Sequence, residues 1–147
     1  QTIIKGWCGQ VRPERSRYTE WDTEIFPEGL YEGIRQVWNK YHLPIYITEN
    51  GIGLYEDTSV NQVEDDDRIE FMDMHIAAVL KAKEGGCDVR GYYAWSPFDL
   101  YSWKNGTEKR YGLVAIDYEN GLERRPKKSY YWYKNVIETD GKHITGK

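Results

Sequence analysis

The sequence predicts an α/β fold built on parallel strands, and three observations predict it. Two helical stripes of apolar residues alternate with two short apolar runs. The two runs are separated by a helix, the kind of crossover that parallel strands require. Both runs end in polar residues, and β/α folds collect their chemistry at the C-terminal ends of their strands.

The elements follow in order. From Gln1 to about Ile25 the chain is polar and irregular, with Gly6, Gly9, Pro13 and a charged run from Arg12 to Arg17, so a long loop is expected. Pro27 suits a first helical position, and Leu30, Ile34, Val37, Trp38 and Tyr41 continue at helical spacing. The apolar run Leu43 to Ile47 ends at Thr48-Glu49-Asn50-Gly51 and reads as a strand stopped by Asn50-Gly51. Glu56 to Asp67 is acidic and aperiodic, and its Asp65-Asp66-Asp67 run reads as a charge cluster favourable to a helix N-terminus rather than a metal site. Ile69, Met72, Ile76, Val79 and Leu80 mark a second helix, which Gly85-Gly86 stops. Val89 to Trp95 reads as the second buried strand, and Leu113 to Asp117 with Leu122 to Arg124 as a hairpin turning through Tyr118-Glu119-Asn120-Gly121. Lys128 to Ile137 is a short helix, and the tail after Gly141 is expected to fray. Neither a repeat nor a low-complexity segment interrupts the pattern.

Composition narrows the function. With 147 residues, 39% hydrophobic and 30% charged, the chain is bounded to one soluble globular unit. Its net charge of −4 is spread along the chain with no basic face, so neither nucleic acid nor a membrane is an expected partner. Cys8 and Cys87 lack metal-ligand spacing, no segment resembles a signal peptide, and a reduced thiol pair in a cytoplasmic protein is the expectation. No metal or cofactor is called for, and Cys8, Cys87, His42, His75 and His143 are assigned to packing or surface. A start at Gln1 rather than Met points to a processed chain or a piece of a longer one. The 6 Trp and 13 Tyr residues stand out, since such rings stack on the C–H faces of sugars. Composition alone nonetheless favours core packing for most of them.

Glu49 is the candidate for chemistry, a carboxylate between an apolar strand and a turn with the Asn50 amide beside it. Read alone, it is equally a surface carboxylate at a strand end. Ile47-Thr48-Glu49-Asn50-Gly51 resembles the I/V-T-E-N-G motif of family 1 glycoside hydrolases, the β-glucosidase family, whose Glu is the catalytic nucleophile. Other segments carry the same resemblance in order. Trp21 to Leu30 is similar to the family's W-x-x-x-I-x-P-x-G-L, Gly91 to Asp99 to its G-Y-x-x-W-S-x-x-D, and Lys109 to Leu113 to its K-R-F/Y-G-L. Pro126-Lys127-Lys128-Ser129 with Trp132-Tyr133 is similar to its closing P-K-x-S-x-x-W-Y.

The resemblance implies the C-terminal part of a (β/α)8 barrel, with Glu49 ending the seventh strand and Trp95 the eighth, and residues 1–147 forming one portion of a single catalytic barrel. Retaining glycosidases need two carboxyl groups roughly 5 to 5.5 Å apart. The family's acid/base Glu lies in a T-x-N-E-P motif, which this sequence lacks, so the chain is expected to supply the nucleophile and to be inactive alone. Trp95 would floor the sugar beside the cleaved bond.

After Asp99 the sequence departs from the pattern of the non-phosphorylated β-glucosidases, which usually read D-N-F-E-W. Here it reads Asp99-Leu100-Tyr101-Ser102-Trp103, and Lys109 and Tyr111 follow Ser102 by seven and nine residues. That spacing resembles the phosphate-binding signature of the 6-phospho-β-glycosidases. The chemistry agrees: a carboxylate repels a sugar 6-phosphate, whereas a hydroxyl donates to it and an ammonium attracts it. The expected activity is retaining hydrolysis of a phosphorylated disaccharide or aryl β-glycoside. Trp103 could donate to an axial 4-hydroxyl, and the glucoside is favoured over the galactoside. The alternatives are a β-glucosidase without phosphate specificity and a non-catalytic sugar-binding module.

Overall fold

The computed structural model describes residues 16–146. Most of the expected opening loop, and Cys8 with it, lies outside the described residues.

Where that loop was expected to continue, residues 17–25 form a small antiparallel pair, β1 (Arg17–Tyr18) and β2 (Glu24–Ile25). Thr19 closes it, its hydroxyl oxygen accepting the N–H groups of Trp21 and Thr23 at 3.3 and 3.2 Å. The Thr19 side chain thus closes the turn of a two-residue ladder, which hydrophobic periodicity does not register. Arg17 docks the pair on the second helix through a two-pronged bond to Glu70 at 2.9 and 2.8 Å.

Helix α1 (Pro27–Tyr41) begins at the predicted proline and ends where His42 adopts φ 50°, its N–H returning to the Trp38 carbonyl at 2.9 Å. Strand β3 (Ile45–Asn50), helix α2 (Asp66–Glu84) and strand β4 (Val89–Ala94) complete the expected unit, and β3 and β4 pair in parallel. Ile45, Val89 and Cys87 pack against Ile34 of α1 and Val79 and Ala82 of α2. Burying this layer supplies the main local driving force, since each fully buried aliphatic side chain contributes about 1.5–3 kcal/mol. A second cluster joins Ile52 and Leu54 to Phe71, Met72, Ile76, Leu113 and Val136. Tyr46 and Tyr93 of the strands are about half exposed.

Strands β5 (Val114–Asp117) and β6 (Glu123–Pro126) form the predicted hairpin with a shifted boundary. Leu122, expected in the strand, has φ 62° and belongs to the turn after Gly121 at φ 67°. Asp117 Oδ1 accepts the N–H groups of Glu119 and Asn120 and sets that longer turn. Helix α3 (Lys128–Glu138) follows, one residue longer than predicted. The tail does not fray: Thr145 and Gly146 donate backbone N–H groups to the Asp73 carboxylate at 3.0 and 2.8 Å, and the Thr145 hydroxyl adds a third bond.

The aspartate run also departs from expectation. Asp66 and Asp67 are exposed in the first turn of α2, but Asp65 is buried, pairs with Arg68 at 2.8 Å and accepts both the N–H and hydroxyl of Ser129. Arg68 pairs in turn with Glu56, Glu56 with Lys127, and Lys127 with Asp99 at 2.9 Å. Arg110 completes the group at 3.4 Å from Asp99. This network of buried charges fastens the loops after β3 and β4 to the starts of α2 and α3.

Candidate active site

The site begins where the regular pairing of β3 and β4 breaks. Ile47 pairs with Tyr92 and Asn50 with Ala94, so β3 carries one more residue than β4 between these points. An extra residue bends the strand and re-aims its side chains, and Glu49 lies in this irregular step with its side chain exposed. Asn50 ties the two strand tips together. Its side-chain oxygen accepts the Tyr92 hydroxyl at 2.8 Å, and its carbonyl accepts the Trp95 N–H at 2.8 Å. Burial first, and Tyr133 second, push the Tyr92 phenol above its usual range, which keeps it protonated as the donor. Gly51 permits the close approach, because a Cβ there would lie 1.9 Å from the Trp95 carbonyl oxygen.

Trp95, 39% exposed, precedes a cis peptide bond to Ser96. The chain beyond folds back on itself through Ser96, whose N–H donates to the Tyr111 carbonyl and whose carbonyl accepts from Leu113. Asp99 Oδ1 accepts the Gly112 N–H at 2.8 Å as well as the Lys127 ammonium. These bonds fix both ends of the 99–112 loop, which holds four of the predicted binding residues.

Within that loop the predicted residues fare differently. Lys109 and Tyr111 meet, the ammonium lying 5.4 Å from the centre of the tyrosine ring. Ser102 is buried and, among the described residues, bonds only within its own loop. Its oxygen accepts the N–H groups of Lys104 and Asn105 at 3.3 and 3.2 Å, and its backbone pairs with Gly106. Its O–H proton remains available to donate. Trp103 is fully exposed, as are most of the Tyr101 and much of the Phe98 rings. Trp95, Phe98, Tyr101 and Trp103 therefore lie at the surface, while Trp21, Tyr92 and Tyr111 are partly buried. The Lys109 ammonium is held below its usual range, chiefly by burial and next by Lys104, with Glu20 opposing. Among the described residues no group of three His, Cys, Asp or Glu side chains is placed to hold a metal ion, and no helix is long and apolar enough to cross a membrane.

The sequence model of glycosyl hydrolase family 1 matches residues 8–142. The chain belongs to this family. Its structure is similar to a family 1 β-glucosidase from Thermotoga maritima, at 36% identity and a TM-score of 0.83, over 88% of this chain and 30% of that one. The same figures hold for that organism's family 1 β-glucosidase in complex with isofagomine lactam. A Thermotoga maritima family 1 glycoside hydrolase bound to a cyclophellitol-analogue transition-state mimic matches at 35% identity and a TM-score of 0.82, over 88% of this chain and 29% of that one. The chain therefore spans about three tenths of the length of these solved relatives, and its parallel pair is part of their barrel fold. Family 1 enzymes are retaining glycosidases.

Sequence reasoning singled out Glu49, Trp95, Ser102, Trp103, Lys109 and Tyr111 but overlooked the residues that hold them. Asp99 and Lys127 lie inside the quoted motifs, and a lysine next to a helix start gives no sign of burial. Trp21, from the first of the motifs, also meets the Lys109 ammonium, which lies 5.4 Å from its ring centre.

Proposed function

We propose that this chain supplies the nucleophile and the phosphate site of a retaining 6-phospho-β-glycosidase acting on phosphorylated disaccharides or aryl β-glucosides. Residues 1–147 form one portion of a cytoplasmic catalytic barrel whose remaining strands bring the acid/base carboxylate. Glu49 attacks the anomeric carbon, and the partner carboxyl protonates the leaving oxygen and then activates water. Asn50, bonded to Tyr92 and Trp95, limits the directions the strand tip can take. Trp95 supports the sugar ring from below, and Trp103 borders its hydroxyl edge.

The observation that carries the phosphate reading is the pairing of Lys109 with Tyr111 in the loop whose other functional position is the hydroxyl of Ser102. One point charge and two hydroxyl donors suit an anionic oxygen cluster.

The test compares kcat/KM for an aryl β-glucoside with and without a 6-phosphate in the full-length protein and in two variants. Lys109→Met removes a desolvated charge partner, worth roughly 2–5 kcal/mol, so use of the phosphorylated substrate should fall by about 30-fold or more. Ser102→Glu should turn preference toward the neutral glucoside, because a carboxylate repels the phosphate and accepts from free hydroxyls. A wild type indifferent to the phosphate would favour an ordinary β-glucosidase. Absence of any turnover would favour a sugar-binding module.

A further inference from the structure

Lys109 has a setting that its own loop does not explain. Its ammonium lies over two aromatic faces, 5.4 Å from the centre of Trp21 and 5.4 Å from that of Tyr111. Trp21 comes from the turn between β1 and β2 and is itself stacked on Tyr55, with ring centres 4.3 Å apart. Glu20 fastens the same turn to the loop after β3 by accepting the Tyr55 N–H at 2.6 Å. The stem of the lysine is equally constrained. A Cβ at Gly53 would lie 2.5 Å from both Cγ and Cε of Lys109 and 3.0 Å from its Cδ. The aliphatic chain therefore runs flat along the Gly53 backbone, in space that any larger residue would fill. Among the described residues no carboxylate forms an ion pair with Lys109; Glu20 acts on it only through space while its own oxygen is held by the Tyr55 N–H.

These features suit one task. A lysine has four rotatable side-chain bonds, and fixing them at the moment of binding weakens affinity. An aromatic face holds an ammonium without cancelling its charge, whereas a carboxylate partner would compete with an incoming phosphate. A seat made of a ring and a bare backbone thus orders the lysine in advance and leaves its charge for the ligand.

We propose that Trp21 and Gly53 are positioning residues that seat the Lys109 ammonium for the 6-phosphate of the substrate, an inference that rests on the phosphate reading above. The seat is built from two segments remote from Lys109 in sequence, so phosphate preference depends on residues outside the phosphate-binding loop.

The experiment measures KM and kcat of the full-length protein on an aryl β-glucoside 6-phosphate and on the neutral aryl β-glucoside. Trp21→Leu keeps an apolar side chain without a π face, Trp21→Phe restores a smaller face, and Gly53→Ala pushes the lysine stem from its track. Trp21→Leu and Gly53→Ala should each raise KM for the phosphorylated substrate by about 3- to 10-fold relative to the neutral one, with the loss in KM rather than kcat. Trp21→Phe should recover most of that loss. In a Lys109→Met background, Trp21→Leu should add nothing further, as expected of residues acting through one group. Equal effects of Trp21→Leu on both substrates, or none on either, would overturn the seat. If Lys109→Met abolishes the phosphate preference while Trp21→Leu and Gly53→Ala leave it intact, the seat alone is refuted. If Lys109→Met leaves the preference intact, the phosphate reading fails and the seat falls with it.

Discussion

Replacing Lys127 by Met should be among the most destabilising single changes in this chain. Lys127 is fully buried, and its ammonium serves both Glu56 and Asp99, the latter at 2.9 Å. The network around it holds three carboxylates, Glu56, Asp65 and Asp99, against three cations, Arg68, Arg110 and Lys127. Charge is balanced as built, and methionine fills a similar volume while leaving one negative charge uncompensated. Breaking a buried pair from one side costs about 3–5 kcal/mol, because the orphaned charge has lost both water and partner. At about 2–4 °C per kcal/mol, thermal unfolding followed by tryptophan fluorescence should shift down by roughly 6–20 °C. The double variant Lys127→Met with Asp99→Asn restores the balance of charge and should recover about half of the loss. A fall below about 1 kcal/mol for the single variant, or a double variant no better than the single, would show that the network does not act as a unit.

Three further outcomes are expected. Glu49→Gln in the full-length protein should lose nearly all kcat while KM changes little, since an amide keeps the shape but cannot attack carbon; retention of more than about a tenth of kcat, or 1.4 kcal/mol of barrier, would assign the nucleophile elsewhere. Gly51→Ala should separate the tips of β3 and β4, because its Cβ would lie 1.9 Å from the Trp95 carbonyl oxygen; lost amide protection at Trp95 in hydrogen exchange is the readout, and unchanged protection would contradict it. His75 is buried, with Nδ1 2.7 Å from the Phe71 carbonyl oxygen, and desolvation holds its imidazole below the ordinary value, with the Phe71 bond and the charge of Glu28 opposing. Above about pH 6.5 both folded and unfolded chains carry the neutral ring; as pH falls below that value the unfolded state takes up the proton first, so stability is lost. Urea titrations between pH 7 and pH 5 should show that slope, and His75→Gln should reduce it.

The sequence by itself determined the parallel β/α unit and most element positions, because apolar periodicity and turn chemistry are local signals. Pro27, Gly85 and the stop after Asn50 are examples. Ordered motifs also determined the family and named Glu49, Trp95, Ser102, Trp103, Lys109 and Tyr111 as candidates. What escaped it depended on contacts between distant segments. Asp65 read as a helix-end charge, yet it is buried because Arg68 and Ser129 supply cation and donors from two helices. The tail after Gly141 read as frayed, yet Asp73 in the middle of α2 holds it. Trp21 and Gly53 gave no sign of a link to Lys109, since neither residue type announces which ammonium it will touch. Local pattern fixes which residues face a core, but the partner of a buried charge or a seated lysine is chosen only when the loops close. There the cost of leaving a charge without water selects a single arrangement.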